Sequence, residues 1–156
     1  MKISEILAEN IISVDLDAAD KIDAINKMIE LANNSGKIID IEKVRNCVLE
    51  REKLVSTGVG KGFAIPHGKT DAITDITAAF AVLKNPIDFE SIDLEPVRFI
   101  FLLVGKENLL NAHIKLLSRI SRLMNKDDFR QKLAAAKSSK EALELFIEEE
   151  QSFLDI

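Results

Sequence analysis

Two histidines, one arginine and a short run of hydroxyl and glycine residues carry most of the chemistry this chain can do. His67 follows Pro66, whose ring fixes the local φ, and leads a Gly-Lys-Thr turn, so the spacing predicts an imidazole held at a strand end. A neutral imidazole is a nucleophile near pH 7, and small changes around it set its protonation. The plainer reading is a surface histidine beside a turn. His113 is the only other histidine, with Leu110 three residues before it and Leu116 and Leu117 after it at helical spacing. It is either a core histidine satisfied by one hydrogen bond or a partner for His67. Arg51 stands just ahead of the glycine stretch, where a guanidinium can grip phosphate oxygens or simply favour a helix C-terminus. Ser56 and Thr57 add hydroxyls there, or a turn. Gly58, Gly60 and Gly62 let a backbone approach a ligand, or make a glycine-rich turn into a strand.

Two nucleotide-binding signatures fail on register. Five residues, Pro66 among them, separate Gly62 from Gly68-Lys69-Thr70, where a P-loop requires four. Phe63 occupies the third glycine position of the dinucleotide fingerprint. Cys47 sits among apolar positions, as a small buried hydrophobe would. A zinc site lacks a third ligand near the histidines.

These residues need elements to position them. Ser4 to Glu9 reads as a short helix and Ile11 to Val14 as a short strand. Asp17 is placed to cap a helix carrying Ile22, Ile25, Ile29 and Ala32, closed by a left-handed Gly36. A second helix follows Asp40 and runs to about Arg51, with Ile41, Val44, Cys47 and Val48 inward. The apolar runs Ile76–Leu83 and Val97–Val104 fit strands covered on both faces. Glu107–Met124 is the longest helix, Asp127 or Asp128 caps another through Ala135, and Ser138 with Glu141 forms a capping box for the last. Its core face is Ala142, Leu145 and Phe146; the run Glu148-Glu149-Glu150 reads as a solvated helix end. The expected architecture is α/β, a mixed β-sheet with helices packed on it, as one domain over residues 1–156.

Composition narrows the function classes. The chain has 156 residues, 47% hydrophobic and 30% charged, a globular balance. Its net charge of −5, with no tryptophan or tyrosine, argues against nucleic acid as a partner. A single cysteine excludes an internal disulfide and a CxxC pair. No apolar run approaches bilayer length and no signal peptide is read, so the expected location is cytoplasmic and not membrane-embedded.

Arg51-Glu52, then Ser56-Thr57-Gly58-Val59-Gly60-Lys61-Gly62, then Phe63-Ala64-Ile65-Pro66-His67, resembles the active-site signature of the fructose/mannitol-type IIA component of the bacterial phosphotransferase system. A second block matches as well: Asp88-Phe89 through Asp93, Pro96-Val97, the strand to Val104, and His113 followed by Leu116-Leu117 and Leu123. The resemblance covers essentially the whole chain, and Pro-His-Gly-Lys on a chain with no fused domain looks most like the nitrogen-regulatory branch. Val55, Leu94 and Gly105 depart from the residues common in relatives: glycine, glycine or a polar residue, and proline.

The resemblance implies a mixed sheet flanked by helices on both faces, and a histidine phosphocarrier. His67 would accept the phosphoryl group from phosphorylated HPr or its nitrogen-branch counterpart. His113 would orient or stabilise it, Arg51 would neutralise its charge, and Thr57, Ser56 and Gly58 would support the phosphate. No metal, nucleotide or other cofactor is required. The onward partner would be a IIB component in a sugar-transporting member, or a regulated transporter or sensor kinase. Two alternatives of other classes remain: a phosphate-independent interaction module, and a metal-dependent hydrolase using both histidines.

Overall fold

The computed structural model describes residues 1–154. The chain opens with α1 (Ile3–Ile6), a single 3-10 turn (Glu9–Ile11) and β1 (Ile12–Leu16). Next comes α2 (Lys21–Ala32), capped by Asp20, whose Oδ1 accepts from the Asp23 amide at 2.8 Å. This corrects the sequence expectation for Asp17. The Asp17 carbonyl instead takes the Lys27 ammonium, while Asp23 reaches back to the Ala19 amide at 2.9 Å. Gly36 does close this region with φ +73°, after a second 3-10 turn over Asn33–Ser35. Asp40 caps α3 (Ile41–Leu54) by accepting from the Glu42 and Lys43 amides.

Three short strands follow: β2 (Gly58–Gly60), β3 (Phe63–Ala64) and β4 (His67–Lys69), then the long pair β5 (Thr77–Ile87) and β6 (Val97–Gly105). The chain ends in α4 (Leu110–Met124), α5 (Asp127–Ala135) and α6 (Ser139–Leu154). Asp127 and Asp128 lie inside the first turn of α5 instead of capping it, where they face the positive helix end. Ser138 accepts from the Glu141 amide at 3.1 Å, but the Glu141 carboxylate returns to the Lys137 amide, one residue before the position of a true capping box.

The six strands form one mixed sheet in the order β1-β5-β6-β3-β2, with β4 also on β6. β5 and β6 are antiparallel, β1 runs parallel to β5, and both β3 and β4 run parallel to β6. β3 and β4 therefore act as one strand interrupted at Ile65-Pro66. Pro66 has no amide to give the ladder, but its carbonyl accepts from Leu103 at 3.1 Å and keeps the register. That register sets His67 opposite Leu103, near the C-terminal end of β6.

Both sheet faces are covered. Phe80 and Phe101 stand opposite each other and pack on Phe146 of α6, which also meets Phe129 of α5 edge-on at 5.2 Å. Alternate residues Ala79, Ala81, Ile100 and Leu102 are equally buried, so they face the other helical layer, where α2 packs on β5 and β6 and α3 on β4. Of the inward positions expected on α6, Ala142 and Phe146 are buried and Leu145 is half-buried. The glutamate run is not simply solvated: Glu150 is buried, and its carboxylate accepts from the Ile3 and Ser4 amides. Those are orphan donors of α1, a helix with no side-chain cap of its own.

Candidate active site

The site is built where three elements converge on the end of β6. In β4 successive side chains alternate, so His67 and Lys69 share one side while Gly68 turns toward α3. There a Cβ on Gly68 would lie 2.7 Å from the Cys47 sulfur, so the glycine permits α3 to pack against β4. α3 contributes Cys47 and Arg51, and α4 contributes Leu110 and His113. With His67 and Lys69 they line a cleft of about 420 Å³.

The two imidazoles stand with ring centroids 5.7 Å apart, tilted by 52°. His67 is half-buried, and its Nδ1 lies 2.8 Å from the Ile65 carbonyl. A carbonyl only accepts, so Nδ1 carries the proton and Nε2 keeps its lone pair. Burial lowers the pKa of His67 below the ordinary imidazole range; the Ile65 carbonyl opposes this, and the Arg51 and Lys69 cations reinforce it. The ring is therefore neutral and nucleophilic at pH 7.

His113 is 3% exposed and pushed down to about 4, first by burial and then by His67 and Lys69. Its Nδ1 is buried with no hydrogen-bond partner and faces Gly105, where an added Cβ would come within 2.4 Å. A buried lone pair is tolerated better than a buried orphan N–H, so the ring's donor is Nε2–H. Gly105 is thus what leaves room for His113.

Arg51 reaches the cleft from the last turns of α3, and its Nη1 donates to the Val55 carbonyl at 2.9 Å. Cys47 is half-buried, its thiol directed at the Lys69 carbonyl at 3.0 Å, and burial pushes its pKa up, away from thiolate chemistry.

The residues Ser56, Thr57 and Gly58 do not line this cleft. Thr57 is buried and gives both its amide and its hydroxyl proton to the Glu52 carboxylate, each at 2.6 Å. Ser56 donates to the Phe89 carbonyl at 2.7 Å and accepts from the Gly58 amide at 3.1 Å. Gly58 lies against Ser91, where a Cβ would sit 2.3 Å from the hydroxyl oxygen. Lys61 gives its amide to Asp93 at 2.9 Å. The Thr57, Gly58 and Lys61 amides and the Ser56 and Thr57 hydroxyls are thus already engaged in bracing the β2–β3 turn. Glu52 has its pKa raised by burial, against the two Thr57 donors and Lys21.

Lys69 and Gly105 are the site residues that motif reading passed over. Lys69 is legible in retrospect, because two residues along a strand is the same side as His67. Among the described residues no three His, Cys, Asp or Glu side chains converge to hold a metal, and no helix is long and apolar enough to cross a membrane.

The family model for the phosphoenolpyruvate-dependent sugar phosphotransferase system, EIIA 2, matches residues 5–149. The chain is 34% identical over 138 residues to the fructose-specific EIIABC component of Bacillus subtilis, covering 88% of this chain but only 22% of that longer protein. A nitrogen regulatory protein of Bradyrhizobium diazoefficiens is 47% identical over 92 residues, 59% of this chain and 60% of that one. The crystal structure of the nitrogen regulatory protein IIA-Ntr from Neisseria meningitidis superposes with a TM-score of 0.86 at 30% identity, covering 92% of this chain and 98% of that one.

Proposed function

The chain belongs to the EIIA 2 family of the phosphoenolpyruvate-dependent sugar phosphotransferase system, and we propose that it is a histidine phosphocarrier with His67 as its acceptor. The observation that carries this reading is the 2.8 Å contact from His67 Nδ1 to the Ile65 carbonyl, which leaves Nε2 as the nucleophile in a cleft shared with Arg51 and Lys69. The donor is phosphorylated HPr or its nitrogen-branch counterpart. The Nε2 lone pair attacks phosphorus in line, the P–N bond to the donor histidine breaks, and that histidine leaves with the bonding pair. Charge on the phosphoryl oxygens is met by Arg51 and Lys69, and neutral His113 supplies an Nε2–H donor. The His67 ring becomes positive as the bond forms, and the Ile65 carbonyl facing Nδ1–H stabilises that charge. The exposed side chains Leu110 and Ile114 beside the cleft offer apolar surface to a docking protein.

Thr57, Ser56 and Gly58 act at one remove in this scheme. Thr57 fixes Glu52, the neighbour of Arg51, and the other two brace the turn that leads to His67.

The nitrogen-regulatory role is the one we favour, on the 47% identity to a nitrogen regulatory protein. The phosphorylation state would then be read by a transporter or kinase, with the whole domain acting in the cytoplasm. A sugar-transport role donating to a IIB component is the second reading, favoured by the match to a fructose-specific component. Incubation with phosphoenolpyruvate, enzyme I and HPr should add one acid-labile phosphoryl group by intact mass. His67→Ala should abolish it with the fold retained; label kept in that variant would refute the assignment.

A further inference from the structure

α3 presents two lined surfaces, and only one belongs to the histidine cleft. Cys47 and Arg51 face the cleft, while Asn46, Leu49, Glu50 and Lys53 face a separate groove of about 770 Å³. The start of α2 forms its second wall, and Val55, Ser56 and Glu90 close its end. Carboxylates outnumber cations along it: Asp20, Glu50, Glu52 and Glu90 against Lys21 and Lys53. Ile22 (51%), Leu54 (77%) and Val55 (63%) expose aliphatic side chains at the same place.

Lys21 has an unusual position within it. Its side chain is 13% exposed, yet its ammonium lies 3.9 Å from both Glu52 and Glu90, too far for a hydrogen bond to either. It rests 5.0 Å over the Phe89 ring. An ammonium that is largely desolvated and loosely paired has donors to spare for a carbonyl entering the groove.

We infer that this groove binds a short segment of a partner protein that combines Lys or Arg side chains with aliphatic ones. The cationic side chains would meet the exposed carboxylates Asp20, Glu50 and Glu90, the aliphatic ones Leu54, Val55 and Ile22, and a backbone carbonyl the Lys21 ammonium. The groove also has a physical connection to the cleft: the Arg51 guanidinium, which lines the cleft, holds the carbonyl of Val55, which lines the groove. A phosphoryl group on His67 would compete for that guanidinium, so occupancy of the groove should depend on phosphorylation. This coupling rests on the phosphocarrier reading; the groove itself does not.

The test uses the whole 15N-labelled protein and two capped hexapeptides, one alternating Lys and Leu, the other alternating Lys and Gly. The Lys-Leu peptide should shift amides of Ile22, Asn46, Leu54 and Val55, and Glu50→Lys or Leu54→Ser should each weaken it about tenfold. Both altered side chains are exposed, so the variants should fold and still accept phosphate. Equal affinity for the Lys-Gly peptide, shifts spread over the whole acidic surface, or unchanged affinity in both variants would overturn the groove. Measuring the same peptide on protein phosphorylated to completion, with the added mass verified, tests the coupling. An affinity unchanged there overturns the coupling alone, while failure to gain mass indicts the phosphocarrier reading and not the groove.

Discussion

The Nδ1–H of His67 points at the carbonyl of Ile65, two residues earlier in the chain and 2.8 Å away. The ring is oriented by its own backbone, with Pro66 between the two groups limiting how far either can move. Phosphorylation should therefore occur at Nε2 alone. Long-range nitrogen–phosphorus correlation on the phosphorylated protein would show it; a phosphoryl group on Nδ1 would contradict the geometry.

Gly105 is expected to matter through His113. In Gly105→Ala the new methyl group would come within 2.4 Å of the His113 ring and displace it. A stability loss of about 1–3 kcal/mol is expected from overpacking, together with slower phosphoryl uptake. Uptake at the wild-type rate with His113 visibly shifted would mean that this histidine only fills space.

Thr57→Val distinguishes a brace from a phosphate ligand. The variant leaves a buried Glu52 oxygen without its hydroxyl donor, which should cost about 1–3 kcal/mol in urea unfolding. Phosphoryl transfer should persist in the folded protein. Loss of transfer with unchanged stability would return the hydroxyl to the phosphate.

Acid should unfold the protein partly through its histidines. His113 titrates at about 4 when folded, against 6.5 ordinarily, so the unfolded chain binds this proton at higher pH. Its contribution is neutral above about 6.5 and destabilising as pH falls toward 4, reaching ~3 kcal/mol at the acid end. His67 acts in the same direction. Glu52, raised by burial, acts in the opposite one, because the folded state holds its proton longer as pH rises. The stability difference between the protein and His113→Gln isolates one group, and it should shift in favour of the variant from pH 6.5 to 4. A pH-independent difference would show that His113 has no depressed pKa.

Leu94 is 88% exposed and sits at φ +63°, where an L side chain is strained and glycine is not. Leu94→Gly should raise stability by about 1 kcal/mol or somewhat less, since relief of strain is partly offset by the freer unfolded chain. Chemical denaturation measures it, and a loss of stability would mean the side chain packs more than its exposure suggests.

The long elements were readable because their signals are repetitive. Continuous apolar runs marked β5 and β6, and helical spacing with Asp40 ahead of it marked α3. The short strands β2 to β4 left only the strand end at His67, since two or three residues are too few to show a period. The histidines, Arg51 and the block around them were legible as types and spacing. The partners of Thr57 and Ser56 were not, because a hydroxyl looks the same in sequence whether it meets a phosphate, Glu52 or the Phe89 carbonyl. The sequence pointed to Asp17 as the cap of α2, and only the Asp23 amide, placed by the helix itself, selects Asp20.

The clasp of Glu150 on the Ile3 and Ser4 amides joins positions 147 and 146 residues apart. It closes one of the longest loops this chain can make, so it forms only after much of the entropy of folding has already been lost. During synthesis the first turn must wait for the last helix to emerge, leaving the β1 edge without that cover in the interval. Amide exchange at Ile3 and Ser4 should accordingly report the docking of α6 and not the stability of the sheet.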